Sequence, residues 1–549
     1  MTRVVPAMDP ALADDVGPFH ARYRAEGHWD DMRLGTRVQH YARLIPEAEA
    51  VVDLLGQRRI NFGDFDRLTN RFAHFLAQSG IEEGDIVSMQ LPNWLEAVVI
   101  FVGANKAGVV VNPILPVYRA KEIRYILELT RARAIFTPDE YRGFSHKALA
   151  AEIARDIGHD LMPVSIPTPM PGAGGSAWLD TLRHYPDAPI GRAPKASAVS
   201  NIQFTSGTEA APKAIMHSEE SLNSNTRALW RAFGMGEGED EIVWMPSPVG
   251  HDTGLNYGVR IALIHGSKVV LQDRWNAEDA AAIIEKEKPT YTLAATVFLT
   301  DLLQECRKRP VDASSLRIFG CGGAPIPSHV VTEAASRGIN CLRLYGQTEV
   351  LVATTNAPAS PPQKLIDTDG ATLPGMTCDI RDNDGKSVPR GAEGELWVTG
   401  PGMSLGYYKD AARTRAKFKG GWVQTGDIAV MDTDGYVTIV GRRSEIIIRG
   451  GANITPREVE DEITKLPGVA EVAVIGLPDT RLGEICCACV VADGRTTVTL
   501  EAIVAALKAG GMAAYKLPER LELMPALPRN ASGKVVRPKL VAALAPKVA

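Results

Sequence analysis

At 549 residues the chain exceeds what one hydrophobic core usually serves, so at least two domains are expected. Hydrophobic residues make up 45% and charged residues 23%, which are ordinary values for a soluble globular protein. The net charge of −5 argues against a nucleic-acid-binding protein, which would normally be basic, so no nucleic acid is expected among the partners.

The cysteines indicate a reducing, cytoplasmic environment. Seven cysteines, an odd number in a large chain, are typical of free thiols rather than of a disulfide framework. The group Cys486, Cys487 and Cys489 fits no common zinc spacing. Because it lies in an apolar segment, we interpret it as part of a buried strand.

The apolar stretches indicate neither a secretory signal nor an integral membrane segment. Residues 1–15 contain acidic residues and no continuous apolar run. The longest apolar stretch, residues 97–115, is interrupted by Asn105 and Lys106. This pattern favours a buried helix that runs into a strand, rather than a membrane span.

In chain order, an irregular lead-in over residues 1–45 is followed by apolar β-rich runs that alternate with amphipathic helical patterns. This alternation predicts an α/β protein with layered, mostly parallel sheets. A stretch rich in proline, glycine and serine, residues 163–176, is predicted to be a surface loop. The predicted strands lie at residues 86–91, 108–112, 269–271, 291–295 and 316–319, and an apolar helix lies at residues 94–106.

The last third of the chain has a different pattern. Short strands at residues 395–398 and 436–440, near turn signals, predict a small β-rich subdomain that closes the large domain. From about residue 444 the sequence predicts a compact α+β domain. Its predicted helices lie at residues 456–466 and 500–509, and its predicted strands lie at residues 469–476 and 485–492.

The stretch from Phe204 to Lys213 has the composition of a phosphate-binding loop. Its hydroxyls and backbone N–H groups supply donors, glycine lets the backbone approach closely, and Lys213 adds a positive charge. The spacing differs from that of a Walker A loop. Alone, such a run is usually a plain surface loop, so its meaning depends on the motifs that follow.

Four further motifs follow this loop. They are Tyr345-Gly346-Gln347-Thr348-Glu349, Gln424-Thr425-Gly426-Asp427, Gly441-Arg442 and Pro528-Arg529-Asn530-Ala531-Ser532-Gly533-Lys534. In this order the set resembles the acyl-adenylate-forming superfamily, which contains acyl-CoA synthetases, adenylation domains of peptide synthetases and beetle luciferases. The resemblance covers roughly residues 30–545. It implies that the chain uses ATP, Mg²⁺ and coenzyme A.

The resemblance also implies a domain organisation. A large N-terminal domain that binds ATP and the acid would span residues 1–440, and a hinge would span residues 441–444. A small mobile α+β domain over residues 445–549 would carry the catalytic lysine.

Each motif has an implied role in binding ATP. Thr348 would bond the α-phosphate, and Glu349 would ligate Mg²⁺, which prefers oxygen ligands. Asp427 would accept the two ribose hydroxyls, with Arg442 supporting the same ribose. The other implied nucleotide-binding residues are Thr205, Ser206, Gly207, Thr208 and Lys213 at the phosphates, Gly322, Gly323, Ala324, Pro325 and Tyr345 at the adenine, and the neighbouring Gly346 and Gln347.

The phosphate loop departs from the family pattern. The usual sequence has Thr-Gly after the first Gly-Thr and glycine after the lysine, whereas this chain has Glu209-Ala210 and Ala214. A carboxylate beside a polyphosphate is electrostatically unfavourable. Glu209 is therefore expected to face solvent.

Lys534 is expected to carry catalysis. By resemblance, it would bridge the attacking carboxylate and the phosphate oxygens, and so stabilise the charge that gathers in the transition state. Lysines in this Pro-x-x-x-x-Gly-Lys context are often acylated in bacterial relatives. A protein acetyltransferase and a deacetylase acting on Lys534 are therefore considered as partners.

A second group of residues is assigned by resemblance to the acid-binding pocket. His251 lies where family members place an aromatic-type residue beside the acyl group, and it is expected to form a wall and gate rather than a proton acceptor. The other candidate walls are Val249, Thr253, Tyr257, Cys321, Gly322 and Val350. Because they include no lysine or arginine to pair a second carboxylate, they favour a hydrophobic monocarboxylate.

The second half-reaction has its own implied residues. Gly450 and Gly451 resemble the glycine-rich loop that lines the thiol tunnel of the family. Ser444 occupies the hinge position, where Asp or Lys is commoner. Rotation at this hinge would withdraw Lys534 after adenylation and bring the glycine loop in.

The resemblance implies an AMP-forming carboxylic acid:CoA ligase, closest to bacterial cyclohexanecarboxylate-type and medium-chain acyl-CoA ligases. A medium-chain or alicyclic acid is the expected substrate, with a benzoate-type aromatic acid next. Two other functions stay open, a stand-alone enzyme that loads a carrier protein and a non-catalytic nucleotide-binding regulator. A luciferase-like oxygenase has no separate support, and a homodimer is considered.

Overall fold

The computed structural model describes residues 5–169, 176–205, 212–238, 240–323, 326–529 and 534–545. Its largest sheet has nine strands within these residues, and the six central strands run parallel. The outer strands join antiparallel at both edges. In spatial order the strands are Ala371–Thr372, Leu351–Thr355, Asn340–Gln347, Ile318–Gly322, Tyr291–Ala294, Ile242–Met245, Lys268–Leu271, Glu49–Asp53 and Arg58–Asn61.

A second sheet of the large domain has six strands in the described part of the chain and is mostly parallel. The helix Leu95–Ala107 contacts strands of both sheets, and its apolar side chains are buried on all sides. This burial explains why the helix is mostly hydrophobic rather than amphipathic. The strands are Lys213–Ser218, Val199–Thr205, Val110–Pro113, Ile86–Met89, Ala134–Pro138 and Met162–Ile166, with a separate hairpin of Glu140–Tyr141 and Phe144–Ser145.

Helices cover the sheets of the large domain. Several are capped by polar side chains; Ser218, for example, accepts a hydrogen bond from the third residue of the helix that follows it. The helices are Pro10–Ala25, Leu34–Leu44, Phe62–Gln78, Leu95–Ala107, Ala120–Thr130, His146–Asp156, Ala177–Thr181, Glu219–Ala232, Asp252–Gly254, Ile261–Ile264, Ala277–Glu287, Thr296–Lys308, Ser328–Ser336, Pro362–Asp367 and Ala411–Lys417, with a 3₁₀ turn at Leu182–His184 and a π-helix at Leu255–Arg260.

An antiparallel sheet completes the large domain and an α+β unit follows. The antiparallel sheet contains Thr377–Arg381, Glu393–Thr399, Trp422–Met431, Phe418–Lys419 and Val437–Arg442. The last unit contains the strands Ala452–Ile454, Ile447–Arg449, Gly483–Ala492, Val469–Asp479 and Arg520–Leu523, the helices Pro456–Ile463, Leu500–Ala509 and Arg537–Leu544, and 3₁₀ turns at Arg443–Glu445 and Ala514–Lys516.

The α/β class, the β-rich subdomain and the compact final unit are confirmed. The apolar stretch at residues 97–115 is also a helix followed by a strand, as predicted. The cysteine group lies buried in the strand Gly483–Ala492, and all seven cysteines of the chain are free thiols. No described helix is both long and apolar enough to cross a membrane.

Two local expectations are wrong. Residues 1–45 are not an irregular lead-in, because they contain the helices Pro10–Ala25 and Leu34–Leu44. The second of these buries Leu34, Val38 and Tyr41 in the main core, so its apolar face has tertiary support that a sequence rich in polar residues obscures. Residues 163–166 belong to an edge strand rather than a loop.

The small domain docks directly on the large one. Arg457, in the first turn of Pro456–Ile463, donates to the Ile439 carbonyl at 2.6 Å and lies 3.8 Å from the Asp369 carboxylate. These contacts fix one orientation of the two units, and this orientation determines which residues of the small domain reach the large one.

Candidate active site

The predicted phosphate loop joins two antiparallel strands. Thr205 ends one strand and Lys213 begins the next, and the two residues pair in register. Both ends of the loop therefore meet at one place. The remaining residues predicted here, Ser206, Gly207, Thr208, Glu209 and Ala210, lie outside the described residues, as do Ala324 and Pro325 of the adenine loop.

Two neighbouring parallel strands end at the site with glycines. A Cβ on Gly322 would lie 2.8 Å from the Leu344 carbonyl oxygen, and a Cβ on Gly346 would lie 2.2 Å from that of Leu351. Both positions therefore require glycine. Gly323, the next residue after the first strand, has a φ of 81°, in the left-handed region that favours glycine.

A three-residue turn presents Thr348 and Glu349. Leu351, which closes the turn, has a φ of 59°, an uncommon left-handed conformation for leucine. The Thr348 carbonyl accepts a hydrogen bond from His217 Nε2 at 2.7 Å, and the Tyr407 hydroxyl donates to Glu349 Oε1 at 2.6 Å. Contacts from two other segments thus hold both residues in place.

Asp427 lies in an irregular part of its strand, where the pairing register shifts and Gly426 has a φ of 79°. Asp427 Oδ1 pairs with Arg442 Nε at 3.0 Å. Its Oδ2 accepts from the Tyr345 hydroxyl at 2.5 Å and from Gln347 Nε2 at 3.3 Å. Burial and the Asp427 carboxylate raise the pKa of Tyr345 well above its usual value, so the phenol stays protonated and donates.

Lys534 of the small domain reaches this cluster. A Cβ on Gly323 would lie 3.2 Å from Lys534 Cε and 3.6 Å from its Nζ, so the lysine side chain crosses the backbone at the end of the strand. Burial lowers the pKa of Lys534, and the charge of Arg442 lowers it further, while Asp427 and Glu349 oppose the shift.

His251 lies near the same lysine. Burial, together with the charge of Lys534, lowers the pKa of His251 to about 4, so the ring is neutral at pH 7. Its Nδ1 accepts from the Thr253 backbone N–H at 3.2 Å, which leaves the ring proton on Nε2. A neutral imidazole of this kind is a weak base, and the role of His251 as a pocket wall and gate stays a prediction.

Asp252 is a buried carboxyl that the motifs did not indicate. Its Oδ1 accepts from Asn256 Nδ2 at 2.8 Å. Burial raises its pKa to about 7, the Glu349 charge adds to this shift, and Thr348 and Arg260 oppose it. The carboxyl therefore belongs to the surroundings of the Thr348–Glu349 turn, at the start of a helical segment that continues as a π-helix.

The residues predicted to line the acid pocket are mostly in the core. Val249, Cys321 and Val350 are fully buried. The Tyr257 hydroxyl donates to Asn225 Oδ1 at 2.8 Å and accepts from a backbone N–H, so its polar atom is already used. The lining thus contains no charged group among these residues, and its assignment as an acid pocket stays a prediction.

The predicted hinge and glycine loop belong to two short turns. Ser444 lies in a 3₁₀ turn between Arg443, which contacts Glu395 of the large domain at 3.1 Å, and Glu445, which contacts Arg537 of the small domain at 2.9 Å. Gly450 and Gly451 form a two-residue hairpin turn with φ of 56° and 84°, a conformation that favours glycine at both positions.

Four residues near these motifs escaped sequence reasoning: His217, Asp252, Tyr407 and Lys417. His217, Asp252 and Tyr407 contact or face the Thr348–Glu349 turn, and Lys417 donates to the Thr425 carbonyl at 2.7 Å. Their partners lie between 8 and 131 positions away in the chain. Asp252 is next to His251, and His217 lies on the strand that begins at Lys213, but nothing in the sequence links either residue to the Thr348–Glu349 turn.

Comparison with known proteins identifies the class. The AMP-binding enzyme family matches residues 38–408, and the C-terminal domain of AMP-binding enzymes matches residues 458–534. The chain belongs to the AMP-binding enzyme family. It is an acid–thiol ligase of the acyl- or aryl-CoA ligase type, and it uses ATP, Mg²⁺ and coenzyme A.

Individual relatives match over nearly the whole chain. Medium-chain fatty-acid–CoA ligase of Escherichia coli (strain K12) is 33% identical over 517 residues, which cover 94% of this chain and 91% of that protein. The 2-hydroxy-7-methoxy-5-methyl-1-naphthoate–CoA ligase of Streptomyces carzinostaticus is 32% identical and covers 96% of both chains. The crystal structure of ATP-bound MatB from Rhodopseudomonas palustris matches with a TM-score of 0.83 and 26% identity, covering 93% of this chain and 99% of that one.

Proposed function

We propose that the chain activates a hydrophobic monocarboxylate, a medium-chain fatty acid or an alicyclic acid, by adenylation and transfers the acyl group to coenzyme A. The carboxylate oxygen attacks the α-phosphorus of ATP and pyrophosphate leaves. The CoA thiolate then attacks the acyl carbonyl carbon and AMP leaves. Both nucleophiles are anions in their reactive forms, so neither step needs a strong side-chain base. The neutral His251 agrees with this requirement.

One observation carries the proposal. Lys534, the last residue of the last motif, lies over Gly323 and within the electrostatic environment of Asp427 and Glu349. An ammonium in this position can bind oxygens of the acid and of the α-phosphate together. The docked orientation of the small domain therefore supports the adenylation half-reaction.

The charges around the site support a nucleotide bound with Mg²⁺. Lys213 and Lys534 supply positive charge for phosphates, Asp427 offers oxygens to the ribose hydroxyls, and Arg442, which pairs with Asp427, supports the same ribose. The buried Glu349 would hold Mg²⁺, which would neutralise part of the phosphate charge there. Thr348, on the same turn, would donate its hydroxyl to the α-phosphate.

Tyr407 gives a direct test of the Glu349 role. Replacing Tyr407 with phenylalanine keeps the ring but removes the hydroxyl that donates to Glu349 Oε1. Because hydrogen bonds to charged groups are strong, we expect a loss of about tenfold in kcat and a higher Mg²⁺ requirement. Titrating activity against Mg²⁺ measures both, with Tyr408→Phe as the control at the neighbouring buried tyrosine. An unchanged Mg²⁺ requirement would show that Tyr407 does not support Mg²⁺ binding by Glu349.

The choice of acid rests on the pocket and on the relatives. The predicted walls lack a cation, which disfavours a second carboxylate. The name of the Escherichia coli relative indicates a medium-chain fatty acid. The name of the Streptomyces relative, which is almost as similar, indicates an aromatic acid and makes a benzoate-type substrate the second candidate.

An acid panel tests this proposal. AMP formation is measured with and without CoA on cyclohexanecarboxylate, benzoate and straight-chain acids from acetate to laurate. We expect CoA-dependent AMP release with a cyclic or medium-chain acid. Highest activity on benzoate would establish the aromatic candidate, and pyrophosphate exchange without CoA turnover would indicate a carrier-protein loader. No exchange with any acid would contradict the proposal and favour a non-catalytic nucleotide-binding protein.

The second half-reaction is assigned to a rotated orientation of the small domain. Arg443 and Glu445 anchor the two sides of Ser444 to different domains, which supports a hinge at this residue. Rotation would remove Lys534 and bring the Gly450–Gly451 turn to the thiol path. Acetylation would remove the charge of Lys534. An acetyltransferase and a deacetylase that act on this lysine stay predictions, and so does a homodimer.

A further inference from the structure

Lys417 lies beside the candidate nucleotide site, and none of the sequence motifs contains it. It ends the helix Ala411–Lys417, and the next residue, Phe418, packs against Tyr407 with ring centroids 6.2 Å apart. Tyr407 in turn donates to Glu349. The chain around Lys417 is therefore attached to the turn that carries the proposed Mg²⁺ ligand.

The lysine ammonium lies beside the proposed ribose-binding group. Lys417 Nζ donates to the Thr425 carbonyl at 2.7 Å, two residues before Asp427. Gln347 Nε2 approaches the same carbonyl oxygen at 3.4 Å, so the two nitrogens lie within about 6 Å of each other. Because Gln347 also contacts Asp427 and Tyr345, the ammonium lies at the edge of that hydrogen-bonded group.

The surrounding charges leave a place for an anion. Burial lowers the pKa of Lys417; Glu349 and Asp427 oppose this shift, while Lys213 and Arg442 add to it. Among the described residues, no carboxylate forms an ion pair with the Lys417 ammonium. The ammonium of Lys417 still has N–H groups that can donate hydrogen bonds to an anionic ligand.

We propose that Lys417 is a further phosphate-binding residue of the ATP site, whose ammonium donates to oxygens of the nucleotide polyphosphate. This proposal rests on the nucleotide site proposed above. It adds a cation within electrostatic range of both Lys213, at the phosphate loop, and Arg442, at the ribose. It also places positive charge in a site whose phosphate-loop sequence contains Glu209, where the family pattern has a neutral residue.

The test compares Lys417→Met, Lys417→Arg and Lys419→Met. The last is the matched control, because Lys419 lies two residues away, is exposed and contacts Gln424 instead. Binding of ATP, AMP, pyrophosphate and adenosine is measured by calorimetry on the full chain, and KM for ATP and kcat are measured by pyrophosphate exchange. Circular dichroism and thermal unfolding confirm that each variant is folded.

We expect Lys417→Met to weaken ATP binding about tenfold, because a charge-assisted contact is lost, while adenosine binding is unchanged. Lys417→Arg should restore most of the affinity, and Lys419→Met should bind ATP like the wild type. Wild-type ATP affinity in Lys417→Met, or an equal loss for adenosine, would overturn the assignment. Failure of the wild type itself to bind ATP or exchange pyrophosphate would instead contradict the proposed function.

Discussion

Replacing Lys534 with methionine is expected to slow acyl-adenylate formation by about 10²–10³-fold, while transfer of a preformed acyl group to CoA stays near the wild-type rate. The structure places the Lys534 side chain over Gly323, among Asp427, Glu349 and Arg442. An ammonium there would stabilise the negative charge that grows as the carboxylate attacks phosphorus. In the rotated orientation proposed for thiol attack, Lys534 would have no corresponding role.

The two half-reactions are measured separately. Pyrophosphate exchange reports adenylation, and release of AMP from a chemically prepared acyl-AMP in the presence of CoA reports thioester formation. Lys508→Met is the control, because Lys508 is an exposed lysine on a helix of the same domain. Equal losses in both half-reactions would show that Lys534 acts on the fold of the small domain rather than on adenylation.

Replacing Arg260 with methionine is expected to destabilise the large domain by about 3–5 kcal/mol, because it leaves the Glu219 carboxylate buried without its counter-ion. The two side chains are fully buried and share two hydrogen bonds of 2.9 Å. Glu219 also accepts from Ser200 Oγ at 2.6 Å and from the Leu34 backbone N–H at 2.8 Å. The pair and its hydrogen bonds thus connect four segments of the core.

This pair also predicts a pH dependence. Burial alone would raise the pKa of Glu219, but the charge and hydrogen bonds of Arg260 lower it from 4.5 to about 2. The folded state therefore binds fewer protons than the unfolded state between these values. The contribution of the pair is complete above about pH 4.5 and is lost as the pH falls toward about 2.

Urea titrations measure the contribution of the pair to the free energy of unfolding. They compare the wild type with Arg260→Met, Arg307→Met and the double variant Glu219→Gln/Arg260→Met. Arg307 pairs with Glu333 on the surface and is the control, for which only a small change is expected. The double variant should recover part of the loss, because no uncompensated charge remains. Equal stability of Arg260→Met and the Arg307→Met control would contradict the prediction.

Local patterns were sufficient for much of the fold. The helix Leu95–Ala107 and the following strand Val110–Pro113 could be predicted because a long, mostly apolar run needs burial wherever it lies. The helix Leu34–Leu44 could not, because its stability comes from packing Val38 and Tyr41 against distant segments rather than from local signals.

The candidate site also contains some residues that the sequence indicates and others that only the structure reveals. Glu349 and Asp427 lie in compact motifs with recognisable residue types and spacing, and the structure brings them close to Lys534. Tyr407 and Lys417 are ordinary residues in sequence, and only the folded chain places them beside Glu349 and Thr425. Contacts of this kind depend on tertiary structure, so a single sequence contains no signal for them.

Oxygen-isotope transfer tests the central claim most directly. The full-length enzyme is incubated with ATP, Mg²⁺, CoA and a medium-chain or alicyclic acid labelled with ¹⁸O at both carboxyl oxygens, and the products are analysed by mass spectrometry. If the carboxylate oxygen attacks the α-phosphorus, one ¹⁸O appears in AMP and the other stays in the thioester carbonyl. Label in pyrophosphate or inorganic phosphate, or formation of ADP, would contradict an acyl-adenylate mechanism.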